Sequence, residues 1–189
     1  FFGRPVGFSG YDYIGFDDYR AAEKLTDYVI KKGKTKIAHI SGDLKSDGKY
    51  RLDGFIASMK KNKIKIRKEW IIEGKFFPEY GYEGFKKIHK SGNLPEVVFC
   101  GNGMIARGTY EAIRENGLRI PEDIGVVAVD HRTYAEMLHP KLTYIDYPTR
   151  TLGNEAMKLL INKIENNQLQ NKPQNKILDT YLVENNSFI

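Results

Sequence analysis

The sequence predicts an α/β fold, a parallel sheet flanked by helices, and three observations predict it. Short apolar runs start near positions 37, 70, 97 and 126, a pitch of about 30 residues that repeated βα units require. Between these runs, apolar residues recur at helical spacing, as in Ala106, Thr109, Tyr110 and Ile113. The stretch from Val97 to Asp130 contains one complete βαβ unit. Val97-Val98-Phe99-Cys100 is a strand buried on both faces, Asn116-Gly117 closes the helix after it, and Ile124 to Val129 is the next buried strand.

The elements follow in order. Arg4 to Phe8 and Tyr11 to Phe16 read as short extended runs. Asp17-Asp18 is a helix N-cap signal. Ala22, Leu25, Tyr28 and Val29 form the buried stripe of that helix, which ends at Lys31-Lys32-Gly33, where cations and glycine are favoured. Ile37 to Ile40 is a strand, and its His39 reads as a core histidine before a functional one. The polar loop Ser41 to Gly48 leads into a helix carrying Leu52, Phe55, Ile56 and Met59, with Arg51 in its first turn. Trp70-Ile71-Ile72 is the next strand, followed by a loop holding Phe76 and Phe77 and a helix marked by Tyr82, Phe85 and Ile88. Beyond Asp130 come a short helix through Tyr134 to Leu138 and an extended crossing segment, Leu142 to Pro148. A helix on Leu152, Ala156, Leu159 and Leu160 follows, then a polar loop from Asn166 to Asn175 and a terminal strand from Ile177 to Val183.

Composition bounds the function. A chain of 189 residues with 41% apolar and 29% charged residues suits one sizeable core. No apolar run reaches the roughly 18 to 20 residues that span a bilayer, so no membrane partner is expected. The single Cys100 excludes an internal disulfide, fits a reducing compartment and, between apolar neighbours, reads as inert core. The net charge of +6 gathers at Lys60, Lys61, Lys63, Lys65, Arg67 and Lys68, where it reads as a solvated helix end rather than a nucleic-acid surface, because no aromatics interleave it. The four histidines (His39, His89, His131, His139) have no metal-ligand spacing, and no catalytic set is visible. No cofactor is expected. Gly101-Asn102-Gly103-Met104-Ile105-Ala106 matches a dinucleotide fingerprint, G-x-G-x-x-A between strand and helix. Three βα units precede it, however, whereas that fingerprint opens its fold. Asn102 and Asp130 fall at the carboxyl ends of two strands, where open α/β sheets bind ligands. Asp130 serves there either as a turn residue or as a ligand contact.

Five motifs in register resemble the lactose-repressor and purine-repressor family. Asp17 to Ala38 is similar to its "D-x-x-x-A … G-H-x-x-I", and Arg51 to Phe55 to "R-x-x-G-F". Gly117 to Val127 resembles "G-x-x-V-P-x-D-I-x-V-V", Pro140 to Ile145 "P-x-L-T-T-I", and Leu152 to Ala156 "x-G-x-x-A". The resemblance implies a periplasmic-binding-protein-like fold, mainly its C-terminal subdomain, in which two α/β lobes close over a small effector. The expected function is the effector-binding domain of a bacterial transcription regulator, not an enzyme, with a sugar-type ligand. Its DNA affinity would change as the cleft closes. The implied ligand contacts are Lys45, Asp47, Arg51, Phe76, Asn102, Asp130 and Tyr147, with Arg51 a forked donor, Asp130 the acceptor facing it and Phe76 an aromatic wall.

The implied organisation places residues 1–17 as a remnant of the N-terminal subdomain and crossover, and 18–146 as the C-terminal effector-binding subdomain. Residues 147–175 form a crossing segment and returning helix, and 176–189 the terminal strand of the C-terminal subdomain. A start at Phe1 reads as a fragment, with operator DNA contacted only through a helix-turn-helix outside this chain. A cytoplasmic homodimer is the expected setting. The alternatives are an extracytoplasmic sugar-binding receptor of the same fold and a nucleotide-dependent α/β enzyme. Three departures from the family pattern stand out. Gly103 replaces a usual Asp and is expected to remove a helix cap, Lys34 replaces a frequent His, and His131 follows Asp130 where Asp or Asn is common.

Overall fold

Apolar alternation along the central strands builds a three-layer sandwich. Strand β4 (Val97–Cys100) sends Val97 and Phe99 to one face and Val98 and Cys100 to the other, all at most 1% exposed. Strand β5 (Gly125–Asp130) repeats this, with Val127 and Val129 on the first face and Val126 and Ala128 on the second. A computed structural model describes residues 1, 10–130, 132–166 and 172–189. The expected extended run at Arg4 to Phe8, the departure at His131 and part of the expected Asn166–Asn175 loop lie outside the described residues.

The first face is covered by α1 (Asp18–Lys31) and α2 (Asp47–Lys61), through Leu25, Val29, Phe55 and Met59. The second is covered by α3 (Pro78–Lys90) and α4 (Gly103–Glu115), through Phe85, Ile88, Ile105 and Ile113. Capping follows the local sequence. The Asp17 carboxylate accepts from the Arg20 amide at 3.0 Å, and Gly33 takes φ +87° where the chain leaves α1.

The main sheet also contains β2 (Ile37–Ile40), β3 (Ile71–Ile72), β6 (Thr143–Asp146) and β8 (Tyr181–Val183). Its order is β3-β2-β4-β5-β6-β8, with all neighbours parallel except the β6–β8 pair. A parallel sheet with helices on both faces was the expected fold. Among the described residues, a second sheet pairs two parallel strands, β1 (Tyr13–Phe16) and β7 (Asn175–Leu178). A short helix α5 (Arg132–Met137) follows β5, and α6 (Thr149–Glu165) follows β6.

Three details differ from the sequence reading. The run Ile177 to Val183 is not one strand: it breaks at Asp179-Thr180, so β7 joins β1 and β8 joins the main sheet. Trp70 lies in a 3-10 turn, leaving only two residues in the edge strand β3, and its indole donates to the Asn93 carbonyl at 3.1 Å. The apolar stripe of α6 is only partly covered, with Leu160 48% exposed.

Candidate functional site

The order of strands sets where a site forms. From β2 the chain goes outward to β3 and then returns across β2 to β4, so the crossovers leave in opposite directions and open a crevice at the strands' carboxyl ends. The tips of β2, β3, β4, β5 and β6 deliver their following residues to this crevice. A hollow of about 320 Å³ lies there, lined by Asp47, Arg51, Phe76, Asn102, Val129, Asp130 and Tyr147. Six of the seven residues singled out in the sequence therefore meet in one place. Lys45 does not line it and stands exposed on the loop before α2.

Arg51 is the centre of the geometry. It lies one turn into α2, and its side chain is only 8% exposed. Its Nε donates to Asp18 Oδ1 at 2.8 Å and its Nη1 to the Gly101 carbonyl at 2.6 Å. The guanidinium carbon sits 5.4 Å from the Phe76 ring centroid and 5.3 Å from that of Tyr147. The Tyr147 hydroxyl donates to the same Asp18 oxygen. Two of the five guanidinium N–H donors are thus engaged inside the protein. Burial alone would lower the Arg51 pKa, but Tyr147, Asp18 and Asp47 around it raise it on balance and keep the guanidinium charged.

Asp18 is the participant that sequence reasoning missed. Asp17 satisfied the capping signal, and the second carboxylate had no local role to announce it. Two aromatic crossover residues frame this pair: Tyr147, just after β6, stacks on Phe16 of β1 at 4.4 Å and 14°. Tyr147 is also tied to the strand tip, because its amide donates to the Asp130 carbonyl at 3.0 Å. Burial holds the Tyr147 phenol well above its ordinary pKa.

Two glycines make the space. A Cβ at Gly42 would fall 2.0 Å from Cε1 of Phe76, so only glycine lets that ring lie over the tip of β2. A Cβ at Gly103 would fall 1.6 Å from Oδ2 of Asp130. The absent Asp side chain at 103 therefore does not weaken the helix start as expected. Asn102 caps α4 instead, accepting from the Ile105 amide at 2.9 Å, and the Asp130 carboxylate occupies the vacated volume. This also counts against a pyrophosphate at the Gly101–Ala106 motif, since an anion there would meet a carboxylate.

Asp47 stands in the first turn of α2, with its pKa raised by burial and by the charge of Asp18, against the lowering influence of Arg51. His39 lies beneath the site, fully buried between β2 and α2. Its Nδ1 lies 2.9 Å from the Phe99 carbonyl, and its ring stacks on Phe55 at 5.1 Å. Among the described residues no partner reaches Nε2, and burial lowers the His39 pKa to about 4, so the ring is neutral. Cys100 is buried and its thiol is pushed up to about 12 by that burial. Among the described residues, no group of three or more His, Cys, Asp or Glu side chains is placed to hold a metal ion. None of their helices is long and apolar enough to cross a membrane. A second, more apolar hollow of about 360 Å³ lies elsewhere, between β1 and α6, where buried Lys163 pairs with Asp12 at 2.8 Å.

Fold and geometry together define an α/β domain with a crevice at a topological switch point. Residues 26–188 match the periplasmic binding protein-like domain. The chain belongs to that family, and within it to the LacI/GalR-type effector-binding domains. The HTH-type transcriptional repressor PurR of Pasteurella multocida (strain Pm70) is 38% identical over 154 residues, 81% of this chain and 46% of the relative. The PurR of Shigella dysenteriae serotype 1 is 35% identical over 161 residues, 85% of this chain and 47% of that protein. The chain thus spans about half the length of the curated relatives it matches. Among solved structures, a complex of the transcriptional regulator CelR with cellobiose superposes with a TM-score of 0.91 at 25% identity, covering 98% of this chain and 57% of that one. The Lac repressor bound to ONPG in the repressed state gives 0.86 at 25% identity, covering 99% and 56%. These relatives are named as repressors and regulators, not enzymes.

Proposed function

We propose that this chain is the effector-sensing part of a bacterial transcription regulator and that the hollow at the strand tips is its effector site. The observation that carries this reading is the convergence of Asp47, Arg51, Phe76, Asn102, Asp130 and Tyr147 on one crevice. The CelR–cellobiose and Lac repressor–ONPG complexes support a sugar-type ligand. In this reading Phe76 packs against a ring face, Asp130 and Asp47 accept from ligand hydroxyls, and Asn102, whose oxygen caps α4, donates through its amide nitrogen. Arg51 shapes the floor and adds what donor capacity Asp18 and Gly101 leave, while Lys45 stands exposed on the loop outside the hollow.

The segments at Phe16–Asp18 and Asp146–Pro148 act as crossings to a second lobe, to which the β1–β7 sheet and α6 belong. The return to the main body falls at Asp179-Thr180, where the chain changes sheet. Closure of the lobes over the effector shifts a homodimer between states of different operator affinity, as a ligand that prefers one state must. Operator DNA is contacted by another part of the protein, in the cytoplasm. The testing experiment is a thermal-shift screen of mono- and disaccharides and nucleobases against the full-length regulator, repeated with Asp130→Asn. A stabilising ligand whose effect falls sharply in the variant supports the reading; a hit indifferent to Asp130→Asn contradicts it.

A further inference from the structure

Among the described residues the chain passes between the two sheets after β1, after β6 and between β7 and β8. The first two passages meet on one side chain. Tyr147, just after β6, is tied to the main body at both ends: its amide donates to the Asp130 carbonyl at 3.0 Å, and its hydroxyl donates to Asp18 Oδ1. With base and tip both held, the long axis of the ring cannot swing without breaking a hydrogen bond. Burial keeps the phenol protonated, so the hydroxyl remains a donor. The face of the same ring carries Phe16, the last residue of β1, stacked at 4.4 Å and 14°. Phe16 is buried and belongs to the β1–β7 sheet, whereas Tyr147 packs with the α1–α2 core. The stack is therefore a contact between the two sheets, and tilting one sheet against the other opens it.

Tyr147 is also part of the hollow. It lines that space together with Arg51, whose guanidinium carbon lies 5.3 Å from the ring centroid. Asp18 Oδ1 receives both the Arg51 Nε and the Tyr147 hydroxyl, so the two side chains share one acceptor. A molecule that settles against the ring, or that draws Arg51 toward itself, loads the surface on which Phe16 rests. Packed and hydrogen-bonded chains of this kind carry coupling between distant parts of a protein. On the reading of this hollow as the effector site, we propose that Tyr147 is the bearing through which occupancy of the hollow sets the angle between the two sheets. Asp18 holds the ring in position, and Phe16 rides on it.

Two measurements on the full-length protein test this, and the first needs no ligand. Spin labels are attached through Lys60→Cys on α2 and Glu165→Cys on α6, both exposed, while Cys100 is fully buried and stays unlabelled. Labelled chains are diluted into excess unlabelled ones, and double electron–electron resonance reads the distance between the two labels. The width of the distance distribution should grow by at least about 1.5-fold in Phe16→Leu, which loses the stack and touches no part of the hollow's lining. An unchanged width overturns the proposal. Where Phe16→Leu does not fold, Tyr147→Phe, which keeps the ring and loses its hydroxyl bond, decides by the same criterion. The second measurement titrates cellobiose, ONPG and adenine calorimetrically into the wild type, Phe16→Leu and Asp130→Asn. For any compound that binds, Phe16→Leu should shift the dissociation constant by about fivefold or more. A compound that depends on Asp130 yet is indifferent to Phe16→Leu overturns the bearing and leaves the effector-site reading intact. If none of the three binds, the label distances decide: a broadened Phe16→Leu supports the bearing, and the effector-site reading is the one that loses ground.

Discussion

Asp18 and Arg51, 33 positions apart in the chain, form a buried ion pair at 2.8 Å that joins the start of α1 to the first turn of α2. Both side chains are 8% exposed, so neither charge is well solvated. The pair also receives the Tyr147 hydroxyl, which links the hollow's floor to the crossover after β6. Removing one partner of such a pair strands the other. Asp18→Ala is expected to lower unfolding stability by about 3 kcal/mol in urea titrations. The double variant Asp18→Ala/Arg51→Met should lose less than the sum of its single changes, whereas additivity would mean the pair is not coupled.

Gly103→Ala tests the exchange between residue 103 and Asp130. Helix propensity alone favours alanine by up to about 1 kcal/mol. Steric overlap with Oδ2, at 1.6 Å from the added Cβ, opposes it. A net loss of roughly 1 to 3 kcal/mol is expected, the range for overpacking. A gain in stability would show that the Asp130 carboxylate does not need this space.

Stability should depend on pH through His39. Its pKa is near 6.5 unfolded and lowered to about 4 in the fold by burial. The unfolded chain therefore binds the proton more readily. The contribution is complete above pH 6.5 and is lost as pH falls toward 4. Between pH 7.5 and 5 the loss is about 2 kcal/mol from this group. Urea midpoints of the protein and of His39→Phe, measured across that range, should converge at high pH and separate as acid is added, with the variant flatter. Parallel profiles would remove His39 as the cause.

Cys100 should be silent toward thiol reagents at pH 8 in the native state, because it is fully buried and its thiol is pushed up to about 12. It should react in full once the protein is unfolded. Rapid native labelling would mean the core around β4 and α4 opens easily.

The parts of this account legible in the sequence were those with a short-range signature. Val97 to Cys100 alternates between two apolar faces, and Arg51 sits one residue before a helical stripe, so both the sheet and the placement of Arg51 at its rim followed from spacing. The Asp18–Arg51–Tyr147 cluster did not, because its members come from three elements brought together only by the sheet order. Gly103 was misread for a different reason. The loss of one cap was visible, while the neighbouring Asn102 cap and the filling of the gap by Asp130 depend on the fold. The split of Ile177 to Val183 turned on a two-residue break that propensity does not distinguish from continuous strand.

Arg51 also allows an affinity prediction. Arg51→Ala, examined where circular dichroism shows it still folded, should weaken effector binding by about 1.5 to 3 kcal/mol, the range for hydrogen bonds to charged groups. An unchanged affinity would remove Arg51 from the site.

The most direct test is to locate a bound ligand by chemical-shift mapping on the full-length protein, using a stabilising hit from the sugar and nucleobase screen. The largest shifts are expected at Asp47, Arg51, Phe76, Asn102 and Asp130, around the tips of β2, β3, β4 and β5. Shifts centred instead on Tyr11, Leu160 and Lys163, in the apolar hollow between β1 and α6, would contradict it.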